Sequence, residues 1–100
     1  MRTSNFVNVR QGDSIKFFPE GLEFKVTEIR YASRDPKQKV LEYEIPQRDD
    51  FGVLKKKETV ELGDFTVKYI GHKGRGDRGF LIISRPVDKR YKIIRANGSA

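Results

Sequence analysis

Hydrophobic periodicity is the feature that most constrains the fold of this 100-residue chain. No segment keeps an apolar period of about 3.6 residues for three helical turns, and short β-rich runs bounded by turn residues recur instead. The runs predict strands over residues 6–9, 14–17, 22–29, 40–45, 59–62, 65–69, 80–83 and 91–94. Most of them alternate, but residues 80–83 are apolar throughout, which predicts a strand covered on both faces. The pattern predicts an all-β domain, either a small antiparallel barrel or a sandwich.

The two halves of the chain resemble one another. Residues 13–17 match residues 58–62 in their order of acid, hydroxyl, aliphatic, charged and large apolar side chains. Further aligned pairs are Phe24 with Phe65, Val26 with Val67, Ile29 with Ile70, Leu41 with Leu81, and Pro46 with Pro86. The alternative is that any two β-hairpins look alike. A half of about three strands cannot bury both of its faces alone. We therefore expect the two halves to pack together, or to exchange strands, around an approximate two-fold axis.

This reasoning predicts a single domain over residues 1–96. Its repeats would span about residues 6–49 and 50–95, with a flexible tail at residues 97–100. The protein would be a monomer that behaves like a fused pseudo-dimer.

The chain is basic, with 21 Lys and Arg against 14 Asp and Glu and a net charge of +7. Such a charge favours a polyanionic partner, although it can also serve solubility alone. The chain has no cysteine, which excludes disulfides and thiolate metal sites. It shows neither a signal peptide nor an apolar run long enough to span a bilayer. We expect a soluble cytoplasmic protein with no membrane partner.

Catalytic patterns are lacking. His72 is the only histidine, and only scattered carboxylates accompany it. The acidic pairs Asp49-Asp50 and Glu42/Glu44 are interpreted as surface charges. Metal sites need clustered ligands, and paired-carboxylate chemistry needs two acids in one pocket. The sequence therefore predicts neither an enzyme nor a metal or cofactor site.

Short motifs in the second half carry a family resemblance. They are Lys56-Lys57, Glu58-Thr59, Leu62-Gly63-Asp64, Gly71-His72-Lys73-Gly74 and Arg85-Pro86. In the first half, Arg10-Gln11-Gly12-Asp13-Ser14 is similar to an Arg-x-Gly-Glu-Thr step. Together these motifs resemble the carbon storage regulator family of small bacterial RNA-binding proteins. The resemblance implies a tandem version of that family's homodimer, in which strands interleave, and it implies RNA binding.

The chain also departs from that family after Pro86. The family continues with an apolar strand that ends in His-Arg-Glu-Glu, and the resemblance assigns the arginine of this motif to RNA contact. Here the sequence is VDKRYKIIRANG, in which Arg95 is a possible substitute at a spacing two residues longer. Neither half ends in the family's C-terminal helix. The fold can therefore be retained while recognition of a GGA motif is lost.

Basic residues at three places, together with one tyrosine, are candidate nucleic-acid contacts. They are Arg10 with its counterparts Lys55, Lys56 and Lys57; Lys73, Arg75 and Arg78 in the glycine-rich segment 71–79; and Arg90, Tyr91 and Arg95 near the C-terminus. The segment 71–79 does not match a Walker A loop, and its Arg-Gly-Asp has no use inside a cell. It is either a plain hairpin turn or a polyanion contact. The lysine run can be a solvated edge strand, and Tyr91 can stack on a base or point into the core.

The sequence thus predicts a non-enzymatic RNA-binding regulator of translation. Basic edge strands would hold single-stranded or hairpin-loop RNA, with DNA left open. The alternative is a protein–protein interaction or assembly module of the phage or mobile-element type. Such a module would dock on an acidic protein partner by adding a strand to its sheet.

Overall fold

The computed structural model describes residues 2–45, 49–72 and 77–96. All regular structure in these residues is β-strand. The strands are β1 (Arg2–Arg10), β2 (Ser14–Phe18), β3 (Leu22–Tyr31), β4 (Lys39–Glu44), β5 (Phe51–Lys55), β6 (Thr59–Leu62), β7 (Phe65–Tyr69), β8 (Arg78–Pro86) and β9 (Arg90–Ile94). Pro46, Lys73, Arg75 and the expected tail at residues 97–100 lie outside the described residues.

The strands form two antiparallel sheets, which confirms the predicted all-β sandwich. The four-stranded sheet has the order β1-β8-β7-β6, and the five-stranded sheet has the order β5-β4-β3-β2-β9. The inward faces of the two sheets share one core. Phe17 of β2 meets Phe65 of β7 across it, with ring centroids 4.3 Å apart. No described strand pairs with both sheets, so the fold is an open sandwich rather than a closed barrel.

The two halves of the chain exchange strands. β5 belongs to the second half of the chain, but it pairs with β4 at the edge of the β2-β3-β4 meander. β1 belongs to the first half, but it pairs with β8 at the edge of the β6-β7-β8 meander. This is the pairing expected of two units related by an approximate two-fold axis. The ninth strand breaks the symmetry, because β9 pairs with β2 and no described strand pairs with the free edge of β6.

The turns that enter the two meanders are equivalent. Asp13 N donates to the carbonyl of Arg10 and Glu58 N to the carbonyl of Lys55, each at 3.0 Å. The third position of each turn has a positive φ, 87° at Gly12 and 72° at Lys57. The predicted correspondence of Arg10 with the lysine run is therefore confirmed for this turn.

One predicted correspondence between the halves is wrong. Ile29 lies opposite Leu41, whereas Tyr69 lies opposite Leu81, so Ile29 corresponds to Tyr69 and not to Ile70. The cause is a β-bulge between Val26 and Glu28, which adds one residue to β3 without a partner on β4.

The prediction that residues 80–83 are covered on both faces is also wrong. Leu81 and Ile83 are fully buried in the core, but Phe80 and Ile82 are only half-buried. Because successive side chains point to opposite faces of a sheet, Phe80 and Ile82 lie on the outer face of the four-stranded sheet. Their neighbour on β1 is Phe6, which is 73% exposed.

Residues 2–45, 49–72 and 77–96 contain no helix that is long and apolar enough to span a membrane.

Candidate nucleic-acid interface

Three arginines converge where the ends of β1, β8 and β9 meet. Arg10 ends β1 and lies directly opposite Arg78, which begins β8. Arg95 follows β9, which belongs to the other sheet. The three side chains line a groove of about 300 Å³ together with Asn8 and His72. We call this hollow the arginine groove.

A buried carboxylate fixes Arg95 in this place. Arg95 Nη1 donates to Asp13 Oδ2 at 3.0 Å and to the carbonyl of Asn8 at 2.7 Å. Asp13 is only 2% exposed, and it also accepts from the main-chain N–H groups of Arg10 and Ala96. A buried charge is tolerated when it is paired and hydrogen-bonded in this way. The contacts tie β9 to β1 across the two sheets, and they leave Nε and Nη2 of Arg95 as further donors.

A second basic hollow adjoins the first. Lys56 lines it together with Lys37, Lys39 and Tyr31. His72 lines both hollows. We call the second hollow the lysine groove, and the two grooves form one basic band at this end of the sandwich. The exposed carboxylate of Asp35 lines the lysine groove. The exposed carboxylate of Asp77 lines a further hollow beside Arg10 and Arg95.

Lys55 and Lys57 flank Lys56 in the turn that follows β5. Both side chains are exposed. Lys55 ends an edge strand, and charge on such an edge opposes pairing with another chain. The structure therefore brings only Lys56 of the lysine run to a groove.

Arg90 and Tyr91 lie at the opposite end of β9 from Arg95. Arg90 faces a shallow hollow beside Phe18, outside both grooves. Tyr91 packs against the core, 6.4 Å from Phe17 between ring centroids, and the Arg85 guanidinium covers it at 5.4 Å. These contacts favour the core interpretation of Tyr91 over the base-stacking one.

Of the predicted contact residues, the structure brings together Arg10, Arg78 and Arg95. It sets Lys56 beside them and separates Arg90 and Tyr91 from them. Lys73 and Arg75 lie outside the described residues, in the segment that joins the paired strands β7 and β8. The choice between a plain turn and a polyanion contact for segment 71–79 therefore falls on residues outside the described part of the chain.

Sequence reasoning missed the residues that organise the two grooves. The sequence shows Asp13 only as a member of the repeat and of the family motif, whereas its role depends on Arg95 and Ala96, which follow β9. Lys37 and Lys39 fall between the predicted strands 22–29 and 40–45, where the pattern indicates no site. A local signal existed for Asp13 alone, since Gly12 before it indicates a tight turn whose N–H groups need an acceptor.

Metal ligation finds no support in residues 2–45, 49–72 and 77–96, where no group of three or more His, Cys, Asp or Glu side chains is arranged to hold an ion.

Comparison with known proteins adds no relative. No family model matches the chain, and neither a curated protein nor a solved structure matches it.

Proposed function

We propose that this protein is a non-enzymatic RNA-binding regulator that holds single-stranded or hairpin-loop RNA at the arginine groove. The observation that carries the proposal is the convergence of Arg10, Arg78 and Arg95 from three strands of two sheets. A guanidinium binds phosphate through paired N–H donors and also stacks on bases. A net charge of +7 draws a polyanion toward the protein.

The strand exchange supports the regulatory part of the proposal. The motifs that resemble the carbon storage regulator family imply a tandem pseudo-dimer with interleaved strands. The observed pairing of β1 with β8 and of β5 with β4 has that form. Control of translation follows from the resemblance, whereas RNA binding also has the support of the groove.

The groove occurs once in the described chain. Arg95 follows β9, and β9 has no counterpart beside β6. We therefore expect one RNA to bind per chain, although the strand exchange itself is nearly symmetric.

The test removes two groove cations and compares the result with a matched loss of charge elsewhere. The variant is Arg10→Ala/Arg78→Ala, whose side chains are exposed. The control is Lys25→Ala/Lys92→Ala, which removes the same charge from exposed positions of the five-stranded sheet. The probes are a fluorescein-labelled RNA hairpin with GGA in its loop and the same stem with a uridine loop. Fluorescence anisotropy gives each Kd at several salt concentrations.

We expect the groove variant to bind RNA at least about tenfold more weakly than wild type, because each lost phosphate contact removes salt-dependent affinity. Its log–log salt slope should be shallower by about 1.4, or about 0.7 for each single-strand phosphate contact. The control should stay within about twofold of wild type. An equal loss of RNA affinity in both variants would mean that RNA binding depends on the net charge of the protein and not on the arginine groove. A wild-type protein that binds neither hairpin would refute RNA binding, and retention on an acidic protein would then favour the assembly module.

A further inference from the structure

The outer face of the four-stranded sheet carries exposed apolar and aromatic side chains. Phe6 on β1 lies directly opposite Ile82 on β8, and Asn8 lies opposite Phe80. Directly opposed residues share a face, so these four side chains point outward together. The His72 ring lies 5.2 Å from the Phe80 ring between centroids, tilted by 51°. Phe6 is 73% exposed, which makes it the most exposed large apolar residue of the described chain.

Cations border this apolar area on the same face. Arg10 and Arg78 form the next opposed pair beyond Asn8 and Phe80, about 6.8 Å further along the strands. Lys68 on β7 lies opposite Ile82 on the other side. The apolar rows thus lie between Lys68 and the arginine groove, and none of the opposed pairs in these rows contains a carboxylate.

The outer face of the five-stranded sheet also carries exposed apolar side chains, such as Phe51 and Val53 of β5, but it differs in its charges. It pairs charges across strands, as in Lys25 opposite Glu44. Arg30 bonds Glu28 at 3.3 Å and reaches Glu42 at 3.8 Å. Balanced charges of this kind are typical of a solvated face. The part of the four-stranded sheet's outer face between Phe6 and Arg10 is therefore distinct in its charges, because cations border its apolar and aromatic side chains and the exposed carboxylate of Glu61 lies one row beyond Lys68.

We propose that this face is a stacking platform for unpaired bases, which makes the protein prefer single-stranded RNA to duplex RNA; the inference rests on the proposed RNA-binding function. Phe6 and Phe80, with His72 beside Phe80, receive the bases, while Arg10 and Arg78 hold the phosphates. Every base has a π-face that an aromatic ring can stack on, so such a platform tolerates many sequences. In a duplex the faces of the bases are already stacked on one another, and these rings have nothing to contact.

Charge complementarity favours a nucleic acid over a second copy of this chain as the occupant. Two copies joined through this face would bring together the cations that border it, Arg10, Arg78 and Lys68, without acids in these rows to neutralise them. The net charge of +7 opposes such self-association as well. A polyanion neutralises the same cations.

Phe6→Ala tests the platform, since a ring that is 73% exposed contributes little to the core. Phe51→Ala is the matched control, because Phe51 is 56% exposed on an edge strand of the other sheet. Phe6→Tyr restores a ring that can stack. The probes are a fluorescein-labelled oligouridine and an RNA duplex of the same length, titrated at physiological salt. Photocrosslinking of oligouridine to wild type, followed by peptide mapping, locates the contact.

Wild type should bind oligouridine at least about tenfold more tightly than the duplex. Phe6→Ala should weaken oligouridine binding by about 5- to 150-fold, the range that corresponds to loss of one base–aromatic stack. Its duplex affinity should stay within twofold of wild type. Phe6→Tyr and Phe51→Ala should bind both probes like wild type, and the crosslink should map to β1 or β8.

Three results would overturn the platform. If Phe6→Ala binds oligouridine like wild type while Arg10→Ala/Arg78→Ala still loses affinity, the platform fails and the proposed function stands. If wild type binds neither RNA, both fail together. If sedimentation shows that Phe6→Ala converts a dimer into a monomer with RNA affinity unchanged, the face joins two copies of the chain.

Discussion

Tyr69 is a buried phenol beneath the arginine groove. Its ring is fully buried, and its hydroxyl has no hydrogen-bond partner among the described residues. The ring packs so closely under Gly79 of the groove that a Cβ there would lie 2.9 Å from Tyr69 Cε1. Burial raises the pKa of this phenol to about 12, with a smaller contribution from Tyr31. The core therefore favours the neutral form.

Tyr69→Phe should leave the free energy of unfolding at pH 7 unchanged, or raise it by up to about 1 kcal/mol, because an unpaired buried hydroxyl is removed. The two proteins should diverge at alkaline pH. The folded-state pKa of about 12 exceeds the ordinary value of 10.0, so the phenol's contribution is complete below pH 10 and is lost as pH rises from 10 through 12. The variant lacks that loss. Urea unfolding of both proteins between pH 7 and 12 measures the difference, and parallel curves would contradict the burial of this hydroxyl.

Lys57 illustrates a residue whose conformation the sequence conceals. Its counterpart Gly12 is a residue type that indicates a positive φ, because glycine adopts the left-handed region without steric cost. Lysine at φ 72° gives no such signal. The two turns are equivalent in their main-chain hydrogen bonds and in the positive φ of their third residue. An alignment by residue type matches the basic residues of the two turns, but it cannot predict the positive φ of Lys57.

Alternation predicted most strands but missed one whole strand, β5. Phe51 and Val53 are exposed on one side of β5, while Gly52 and Leu54 occupy the other. Apolar residues on both sides, with a glycine among them, leave no period of two to detect. The arginine groove could not be predicted for a related reason. The sequence shows each arginine as a charge, but Arg95 lies near Arg10 only because β9 pairs with β2, which is distant from it in sequence.

Gly52 allows β5 to pair closely with β4, because it has no side chain to meet the Tyr43 ring. It lies directly opposite Tyr43, whose ring stacks on Phe24 with centroids 4.7 Å apart. A Cβ at Gly52 would lie within 2.7 Å of Tyr43 Cε1. We expect Gly52→Ala to lower the free energy of unfolding by about 1 to 3 kcal/mol, the usual cost of overpacking. Val53→Ala, at an exposed position of the same strand, should change it by less than about 0.5 kcal/mol.

A double-mutant cycle separates this clash from a general weakness of β5. In the background of Tyr43→Ala, which removes the ring, Gly52→Ala should cost clearly less than it does alone. Thermal and urea unfolding give the four free energies. An undiminished cost of Gly52→Ala in that background would show that the Tyr43 ring is not the obstacle.

The molecule as a whole depends on both halves at once, because each meander borrows its edge strand from the other half. Residues 1–49 alone have no β5 to pair with β4 and no β9 to pair with β2. Residues 50–100 alone have no β1 to pair with β8. The core is shared too, since Phe17 of one half packs on Phe65 of the other. A separated half would expose one apolar face of a three-stranded sheet, which is too little structure to bury a core.

We therefore expect neither half to unfold cooperatively when it is expressed alone. An equimolar mixture of residues 1–49 and 50–100 should recover the β-sheet circular dichroism of the intact chain. Its thermal midpoint should rise with concentration, because folding and association are then a single step. The intact chain is the control, since its midpoint should not depend on concentration. A cooperative, concentration-independent transition in either half by itself would show that the exchanged strands are dispensable, and the shared interior would then not be what defines this fold.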